Sequence, residues 1–469
     1  MPAHPDIPSF LKKYPWPAEW RNKGKFLHAL WSWDFPVSME ALWPHLADTS
    51  TFNKRLGLPE MKFREENGRL QGESVNLRVR SVWEEVPWEW EYGSYLSNMR
   101  VYSKGFGKAV RSVYSVEKLP SGGVRLFVYF GWVLGGILGR LLLPQSMRWL
   151  EKRYDAVLNE IVARLTRKVI LPPPEPPPVL SPASIRRLEA ARQELLRKKN
   201  PEKIVDRVLE WLRTCPDNEL LRIRPRELAQ KWGVEERGLL GVFLHATRQG
   251  ALVLTWDVVC PHCRGVRREL LNLSEIPEKE ECEACGIDFS ATGLHAVEIT
   301  FRVHPSIRVV EPRLYCAAEP ATKPHIVFKK KLLSGETQIH PTIFPAGPYR
   351  LRLEGEKSYS LLELRDESKE KKVSWKTNAG PFEASAHSAP DLALENVDAS
   401  ERIFVVEENR ADQNALRPGD LFTFQDFRDL FSEQSVSPDL QLELGIQTVL
   451  FTDLVGSSRF YHTVGDAAA

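Results

Sequence analysis

The sequence predicts an α+β chain built from several folded domains, and three observations lead to this prediction. Its 469 residues correspond to about three domains of roughly 150 residues each. A run of twelve residues with seven prolines separates a first part, in which strands precede a long amphipathic helix, from the rest. Two CxxC pairs then lie between a helical stretch and a β-rich stretch. The sequence therefore predicts several consecutive domains and not one continuous fold.

Composition and charge exclude several classes of protein. Hydrophobic residues make up 42% of the chain, which is enough for folded cores and excludes a disordered chain. The net charge is 64 − 62 = +2, so binding of nucleic acid through the overall field is disfavoured. Six cysteines are too few for a disulfide-stapled secreted scaffold.

We find no targeting or membrane-spanning signal. Residues 1–17 lack the apolar stretch of a signal peptide. The longest apolar run, residues 126–139, is too short to cross a hydrocarbon core of about 30 Å as a helix. Its glycines, among them Gly135 and Gly136, suit a corner between a strand and a helix. We expect a cytoplasmic protein with no membrane partner.

Residues 21–168 predict one α+β domain. Ser38 is a suitable N-cap for a short helix at residues 39–47. Strands are predicted at residues 26–35, 75–82, 89–95, 109–117 and 124–133. Apolar residues recurring at three- and four-residue steps then predict a long helix, and they are Met147, Leu150, Tyr154, Val157, Leu158, Ile161, Val162 and Leu165. One apolar face must be covered, so we expect this helix to lie across the sheet.

This order resembles the START-like superfamily, of polyketide-cyclase and Bet v 1 type. The resemblance rests on pattern over the whole domain, and it implies a helix-grip fold in which a helix closes a cavity over a curved antiparallel sheet. Ten of the fourteen tryptophans lie before residue 150, and they include Trp31, Trp33, Trp83, Trp88 and Trp90. Two interpretations stay open: these side chains line a pocket for an apolar small molecule, or they fill the core.

Residues 169–183 predict an extended linker, because prolines fix φ and remove amide donors. A PxxP docking ligand is the alternative. Residues 184–257 then predict a winged-helix-like domain: a charged helix, three further helices, a glycine turn and a strand at 251–256. The third of these helices would enter the major groove of DNA, yet it begins with Glu235 and Glu236, which repel phosphate. A structural or protein-contact role is therefore preferred over nucleic-acid binding.

Residues 258–293 predict a zinc ribbon. The pattern CxxC-x18-CxxC lets two turns bring four thiolates around one tetrahedral Zn²⁺, and its cysteines are Cys260, Cys263, Cys282 and Cys285. Four thiolates leave no position for water, so the predicted zinc site is structural. Two adjacent disulfides are the alternative, which a cysteine-poor cytoplasmic chain disfavours. His262 would add a fifth ligand to a complete set and is left out.

The turns and the other thiols complete this prediction. Gly265 and Gly286 follow the two CxxC pairs, where a tight turn is needed. Cys215 and Cys316 are expected to be ordinary buried thiols.

Residues 294–440 predict a β-rich domain, with a small antiparallel sandwich over roughly residues 294–410. Apolar and polar residues alternate over residues 297–303, as in a half-buried strand. Further strands are predicted at residues 325–332, 349–353, 358–364 and 402–407. Glycine and proline turns separate them.

A second informative motif lies in residues 446–469. Residues 448–452 predict a buried strand that places Asp453 at its carboxyl end. Gly456 permits a tight turn, and Ser457 can cap the helix that follows. A carboxylate beside a helix N-terminus suits a magnesium ion with a triphosphate. On the residues alone, this pattern occurs in many α/β proteins.

Residues 448–461 resemble the opening strand and helix of the catalytic domain of class III adenylate/guanylate cyclases. The segments WDVVCPHCRG, EITFRVHPSIR and FRDLF resemble a region that precedes this domain in bacterial soluble cyclases. The resemblance implies that Asp453 binds both catalytic metal ions, Mg²⁺ or Mn²⁺. It also implies that the Leu454 carbonyl assists and that amides around Gly456 and Ser457 hold the triphosphate.

The same resemblance limits the activity we expect. The family's second metal-binding aspartate, its purine-selecting residues and its Asn/Arg pair have no counterpart in residues 446–469. We therefore expect a truncated cyclase domain, as in a fragment, a frameshift product or an interrupted reading frame. A complete relative would convert ATP or GTP to a cyclic nucleotide as a dimer of catalytic domains. From this chain alone we expect no turnover.

The sequence thus predicts the sensory and regulatory front part of a class III nucleotide cyclase. Two alternatives from other classes stay open. One is a transcription regulator built on the winged helix and the zinc ribbon, and the other is a carrier of a lipid or small molecule.

Overall fold

The computed structural model describes residues 2–66, 69–76, 78–120, 122–169, 171–172, 178–434 and 441–444. Along these residues lie an N-terminal sheet domain, a helical module, a cysteine-rich ribbon and a β-sandwich. Within them, we find no helix with the length and apolar character needed to cross a bilayer.

The N-terminal domain is an antiparallel sheet with three helices on one face and the first, short helix on the other. Its elements are α1 (Ile7–Lys13), β1 (Phe26–Phe35), α2 (Met39–Ala47), α3 (Thr49–Leu56), β2 (Met61–Glu66), β3 (Arg69–Asn76), β4 (Val79–Glu91), β5 (Tyr95–Lys104), β6 (Gly107–Lys118), β7 (Val124–Leu134) and α4 (Ile137–Arg167). The strand order is β1-β7-β6-β5-β4-β3-β2. As predicted, Ser38 caps α2, where its hydroxyl accepts a hydrogen bond from the Ala41 amide at 3.3 Å.

Two predicted strands of this domain are wrong, because they fall on hairpin turns. The segment 75–82 contains the turn from β3 to β4, where Arg78 adopts a φ of 65°. The segment 89–95 contains the turn from β4 to β5, where Gly93 has a φ of 75°. The apolar residues on both sides of each turn continue the alternation of the neighbouring strand, so the pattern hides the reversal of direction.

The helix α4 closes the sheet as the periodicity predicts. Seven of its eight predicted apolar residues are buried, and Leu165 packs at the edge of the same core. The indole of Trp33 on β1 donates to Asp155 of α4 at 3.0 Å. Gly136, with a φ of 31°, turns the chain from β7 into this helix. The helix-grip arrangement is thereby confirmed.

The helical module and the ribbon follow in sequence. Their elements are α5 (Pro182–Arg197), α6 (Glu202–Thr214), α7 (Asp217–Leu221), α8 (Pro225–Trp232), α9 (Glu236–Arg248), β8 (Leu252–Val259), β9 (Val266–Leu270), β10 (Lys279–Cys282), β11 (Ile287–Ser290) and β12 (Val297–Val303). The helices and the sheet β12-β8-β9 share one core, and β10 pairs with β11 in the ribbon.

The strand β12 belongs to this module and not to the sandwich, which corrects the predicted boundary at residue 294. All seven of its residues pair with β8. Its carboxylate Glu298 is only 3% exposed and accepts from Arg224 at 2.6 Å and from Arg222 at 2.8 Å. Two arginines of the helical module therefore neutralise a charge that would be costly to bury unpaired.

The sandwich consists of two sheets that face one core. Its strands are β13 (Ile326–Leu332), β14 (Thr337–Pro341), β15 (Gly347–Leu353), β16 (Ser360–Leu364), β17 (Lys372–Lys376), β18 (Glu383–Ala386), β19 (Asp391–Glu395) and β20 (Arg402–Glu408). The predicted purely antiparallel pairing is wrong, since β16 pairs with β18 and β17 with β19 in parallel. From β16 to β19 the chain alternates between the two sheets, so strands that are two steps apart run in the same direction.

After the sandwich the chain returns to the helical module through α10 (Pro418–Phe422) and α11 (Gln425–Leu430). Leu421, Phe427 and Phe431 are buried in the core of that module. Residues 418–431 were predicted within the β-rich unit, and this assignment is also corrected. Their aromatic side chains complete a core that α9 and β8 leave open.

One long sheet joins the first domain to the sandwich. The strand β13 pairs with the end of β4 through Glu91 and Trp90. The Trp90 indole, 2% exposed, donates to the Ile326 carbonyl at 2.8 Å. Beside it, Lys330 and Glu89 form an ion pair at 2.7 Å. The two units are therefore fixed to each other by backbone pairing and by buried polar contacts.

We predict that Trp90→Phe weakens this junction by about 1–3 kcal/mol, because a buried carbonyl loses its donor. Chemical denaturation of the full chain, followed by far-ultraviolet circular dichroism, measures the change. Trp375→Phe is the matched control, since Trp375 is also buried but has no described hydrogen bond from its indole. An equal loss in the two variants would contradict a specific role for the Trp90 donor.

Candidate ligand cavity and metal centre

A cavity of about 240 Å³ lies between the sheet of the N-terminal domain and α4. Strands β3 to β7 form one wall, the first half of α4 forms the opposite wall, and α3 contributes to the side. Nine of the 28 lining residues are aromatic, and they are Trp83, Trp88, Tyr102, Phe106, Tyr114, Phe130, Trp132, Trp149 and Tyr154. Ten further residues are apolar and nine are polar or charged, so apolar walls are combined with several polar groups, as in small-molecule sites.

The five tryptophans divide between the lining of the cavity and the buried cores. Trp83 and Trp88 line the cavity. Trp31 and Trp33 instead fill the core beneath α4, and Trp90 lies at the junction with the sandwich. Because all five are buried and lie on β1 or β4, the sequence pattern does not separate them.

A buried carboxylate organises the polar end of the cavity. Glu85 is 5% exposed and accepts hydrogen bonds from the indoles of Trp83 at 2.7 Å and Trp88 at 2.9 Å. It also pairs with Arg100 at 3.1 Å. Burial opposes the charge of Arg100, yet the Glu85 carboxylate raises the pKa of this guanidinium above its usual value. The group Glu85–Arg100 thus has no net charge and fixes two aromatic walls.

Some of the other polar atoms of the lining have a hydrogen-bond partner within the described part of the chain, and others do not. The hydroxyls of Tyr114 and Tyr154 hydrogen-bond to each other, and burial raises the pKa of both phenols. Burial also raises the pKa of Tyr102 to about 12, so it is a neutral donor at physiological pH. The Trp132 indole nitrogen is buried and has no hydrogen-bond partner among the described residues.

One residue of the cavity lining, Cys316, comes from the distant segment 311–322, which we call the strap. The strap connects β12 to β13 and crosses the N-terminal domain. The Met61 amide donates to the Leu314 carbonyl at 2.7 Å, and the Asn53 side chain donates to the Tyr315 carbonyl at 3.0 Å. Cys316, 2% exposed, faces the cavity. The expectation of a buried thiol holds, but nothing in the sequence pattern indicated this position.

The four predicted zinc ligands lie together in the ribbon. The Sγ atoms of Cys260, Cys263, Cys282 and Cys285 all lie within 4.8 Å of one another, and all four residues are buried. In the second turn, Gly286 has the expected positive φ, at 64°. In the first turn, Arg264 and not Gly265 has the positive φ, at 55°. The turn is thus as tight as predicted, but a different residue bears the strain.

This donor set fits a structural zinc ion. Only cysteine sulfurs take part in the described cluster, and four soft thiolates in a tetrahedral set are the usual ligands of structural zinc. His262 contributes its backbone carbonyl to a hydrogen bond with His325 and is not part of the cluster. Bound there, zinc would supply cross-linking and no open position for catalysis.

The ribbon is fixed to the sandwich through the carbonyls of its two turns. The Pro261 carbonyl accepts from Arg350 at 3.1 Å, and the Cys285 carbonyl accepts from the Gly355 amide at 3.0 Å. Behind this contact, the fully buried Glu407 pairs with Arg350 at 2.7 Å and with Arg352 at 3.1 Å. The geometry of the metal turns therefore determines whether these donors meet their acceptors.

The helix α9, which corresponds to the DNA-contacting helix of a winged-helix domain, is covered by other parts of the chain. Six side chains of α9 are buried in the module core, and α11 packs against the helix. The Arg237 guanidinium lies over the Phe424 ring at 5.1 Å, and Arg248 pairs with Glu433 at 2.7 Å. Glu236 pairs with Arg226 at 2.8 Å. These contacts occupy the basic side chains of α9, so they add a second argument against insertion into a groove of nucleic acid.

The second predicted site lies outside the described residues. This applies to Asp453, Leu454, Gly456 and Ser457, and to the whole segment 446–469. Their role in holding Mg²⁺ or Mn²⁺ and a nucleotide stays a prediction from the sequence.

The described structure defines a class of protein: a helix-grip domain with an internal cavity, joined to a helical module, a four-cysteine ribbon and a β-sandwich. A family model described as a family of unknown function, DUF5939, matches residues 188–336. The matched range begins in α5 and ends beyond β13, and it contains the cysteine cluster and the strap. The search of curated proteins gives no match.

Solved structures similar to this chain include the Zhui aromatase/cyclase from a Streptomyces species. It is 12% identical, with a TM-score of 0.25, and covers 31% of this chain and 96% of its own. A Thermus thermophilus protein is 17% identical, with a TM-score of 0.23, and covers 31% of this chain and 99% of its own. A conserved Geobacillus kaustophilus protein is 11% identical, with a TM-score of 0.24, and covers 30% of this chain and 97% of its own.

We predict that Cys282→Ser reduces bound zinc to well below one ion per chain and loosens the contact of the ribbon with the sandwich. Free energy of metal binding in such sites is largely free energy of folding, about 10–16 kcal/mol for small zinc domains. Inductively coupled plasma mass spectrometry gives the metal content, and limited proteolysis reports the loosening.

Cys215→Ser is the matched control, because Cys215 is a buried thiol outside the cluster. The prediction is contradicted if the two variants keep the same zinc content.

Proposed function

We propose that this chain is the ligand-sensing regulatory part of a class III nucleotide cyclase. In this proposal, a small and mainly apolar molecule occupies the cavity of the N-terminal domain, and the strap transmits occupancy to the rest of the chain. The observation that carries the proposal is the composite cavity wall, in which Cys316 of the strap faces the aromatic lining formed by β4 to β7. A ligand in this cavity would contact two units at once.

The chemistry of the lining supports a ligand with an apolar body and at least one hydrogen-bond acceptor. The rings of Trp83, Tyr102 and Trp132 lie side by side, with centroids 5.8 and 5.7 Å apart. Such a row offers flat contact area to an aromatic or alicyclic molecule. The neutral Tyr102 phenol supplies a donor, while the Glu85–Arg100 pair offers no net charge to attract an ion.

The size of the cavity supports a small ligand. Pockets for drug-sized molecules have volumes of about 300–1,000 Å³, and this cavity, at about 240 Å³, lies just below that range. A long-chain lipid would not fit without movement of the walls. A compact ring system fits better.

The link to cyclase activity rests on the sequence resemblance. In the proposal, Asp453 and the Leu454 carbonyl bind the catalytic metal ions of the domain that begins near residue 446, and Gly456 and Ser457 hold the triphosphate. The FRDLF segment that precedes this domain lies on α11, which packs on α9 and on the module core. Signals from the module would therefore reach the catalytic domain through α11.

Native mass spectrometry and hydrogen exchange of the full chain test whether the N-terminal cavity senses a ligand. In native mass spectra we expect a retained small molecule, or binding of added anilinonaphthalene sulfonate. In the bound state we expect slower hydrogen exchange in residues 311–322. Binding without any change in the exchange of the strap would exclude transmission by this route. No binding at all would exclude a sensor cavity.

The cyclase part has a separate test at the level of the gene. We expect the DNA after the codon for Ala469 to encode, in the same or a shifted frame, the second metal-binding aspartate and the Asn/Arg pair of the family. Without such coding sequence the cyclase assignment fails, while the ligand-binding result keeps its meaning.

We predict that Ser112→Leu reduces binding of anilinonaphthalene sulfonate at least tenfold, since its side chain would enter the cavity. Fluorescence titration of the full chain gives the affinity, and circular dichroism with zinc content checks folding. Ser334→Leu, at an exposed serine of the sandwich, adds the same group outside the cavity. A tenfold loss in that control as well would contradict binding in the cavity.

We predict a pH dependence of stability that arises in the strap. Burial raises the pKa of Glu319 to about 7 from 4.5, so the folded state favours the neutral acid. The contribution of Glu319 to the free energy of unfolding is complete below pH 4.5 and is lost as the pH rises through about 7. The free energy of unfolding changes by up to about 3 kcal/mol over this range. Glu319→Gln should therefore be more stable than wild type above pH 7 and similar to it below pH 4.5.

Thermal unfolding of the full chain across this pH range is the measurement. Glu311→Gln, at an exposed position at the start of the strap, is the control. If both variants follow the pH profile of the wild type, Glu319 is not the source of the dependence.

A further inference from the structure

The first turns of α4 expose large apolar side chains. Ile137 is 77% exposed, Leu141 is 63% exposed and Trp149 is 46% exposed. Ile137 and Leu141 are one turn apart on the same side of the helix. Residues further along α4, such as Leu158 and Ile161, are buried against the sheet. Grouped exposed apolar residues of this kind mark interaction surfaces.

Basic side chains surround these apolar residues. Residues 136–150 contain no aspartate or glutamate, and the next residue, Glu151, lies 3.2 Å from the His4 ring nitrogen. The tip of the β5–β6 hairpin touches the first turn of α4, because a Cβ on Gly139 would lie 1.9 Å from the Phe106 carbonyl oxygen. Five exposed basic side chains from the helix and the hairpin have no described ion-pair partner, and they are Lys104, Lys108, Arg140, Arg148 and Lys152. We call residues 104–108 and 137–152 together the rim.

The rim lies at the edge of the cavity. Phe106, Leu142 and Trp149 belong both to the rim and to the cavity lining. On the other side of the cavity, the loop after α3 contributes Leu58 and Pro59 to the lining and exposes one carboxylate, Glu60. Cations therefore greatly outnumber acidic groups around this edge.

We propose that the rim docks on an anionic lipid surface. Exposed aliphatic residues and a tryptophan on one helical surface, with lysines and arginines around them, are the features of a segment that lies in the interface of a bilayer. Each basic residue near an anionic leaflet adds to the attraction, and the apolar side chains enter the headgroup region. This contact is peripheral and requires no membrane-spanning helix.

The composition of the rim favours a lipid surface over other anionic partners. The phosphates of nucleic acid would satisfy the cations but would leave Ile137 and Leu141 in water. An acidic protein would need an apolar groove that matches the protruding side chains. Ile137, Leu141 and the five cations lie outside the cavity lining, so docking does not require that the proposed cavity ligand exists.

Vesicle co-sedimentation of the full chain tests this proposal. We expect partitioning onto vesicles of phosphatidylcholine with phosphatidylglycerol, weak partitioning onto phosphatidylcholine alone, and a loss of binding as salt is raised. Arg140→Gln with Arg148→Gln should lower the partition coefficient ~30-fold, because each cation contributes roughly fivefold. Ile137→Asp with Leu141→Asp should abolish binding.

Matched controls separate the rim from general charge. Lys369→Gln with Lys371→Gln removes two exposed cations from the sandwich and should leave partitioning unchanged. Circular dichroism and zinc content confirm that each variant is folded. Equal binding to both vesicle types, or equal losses in the sandwich and rim variants, would overturn the proposal.

A protein partner is the remaining outcome, and sedimentation velocity detects the simplest case. If the chain ignores anionic vesicles but forms a dimer that the substitutions at Ile137 and Leu141 dissociate, then the rim is an interface between two copies. That result would also overturn docking on lipid.

Discussion

The pairing of β13 with the end of β4 is the constraint on which the arrangement of the chain depends. Only two residue pairs form this contact, but the Trp90 indole and the partly buried Lys330–Glu89 ion pair reinforce it. It makes the N-terminal sheet and one sheet of the sandwich continuous. As a consequence, the strap must cross the N-terminal domain to reach β13, and this path brings Cys316 to the cavity.

The cysteine cluster forms a second contact with the sandwich. Its two turns present backbone carbonyls to Arg350 and to the Gly355 amide, above the buried charge of Glu407. Arg264 in the first turn donates to the Arg410 carbonyl at 2.7 Å. The sandwich thus contacts the N-terminal sheet through β13 and the four-cysteine ribbon through Arg350 and Gly355. A change in either contact would alter the position of the sandwich relative to the helical module.

Local signals in the sequence predict local structure well. The heptad-like spacing in α4, the Ser38 cap and the CxxC spacing each depend on residues close to one another, and all three agree with the structure. The signals fail where the partner is distant. Apolar alternation in β12 is the same whether it pairs with β8 or with the sandwich, and only the arginines that neutralise Glu298 decide between them. No pattern around Cys316 indicates a cavity that is lined mainly by residues before 155.

The proline-rich linker looks like the natural place to divide the chain, yet the strap makes such a cut misleading. A fragment that ends near residue 168 would lack the backbone partner of the Met61 amide, the acceptor of the Trp90 indole and the thiol that closes the cavity. Its interior would open to water on one side. Ligand affinities measured on the isolated fragment would therefore describe a different cavity from that of the whole protein.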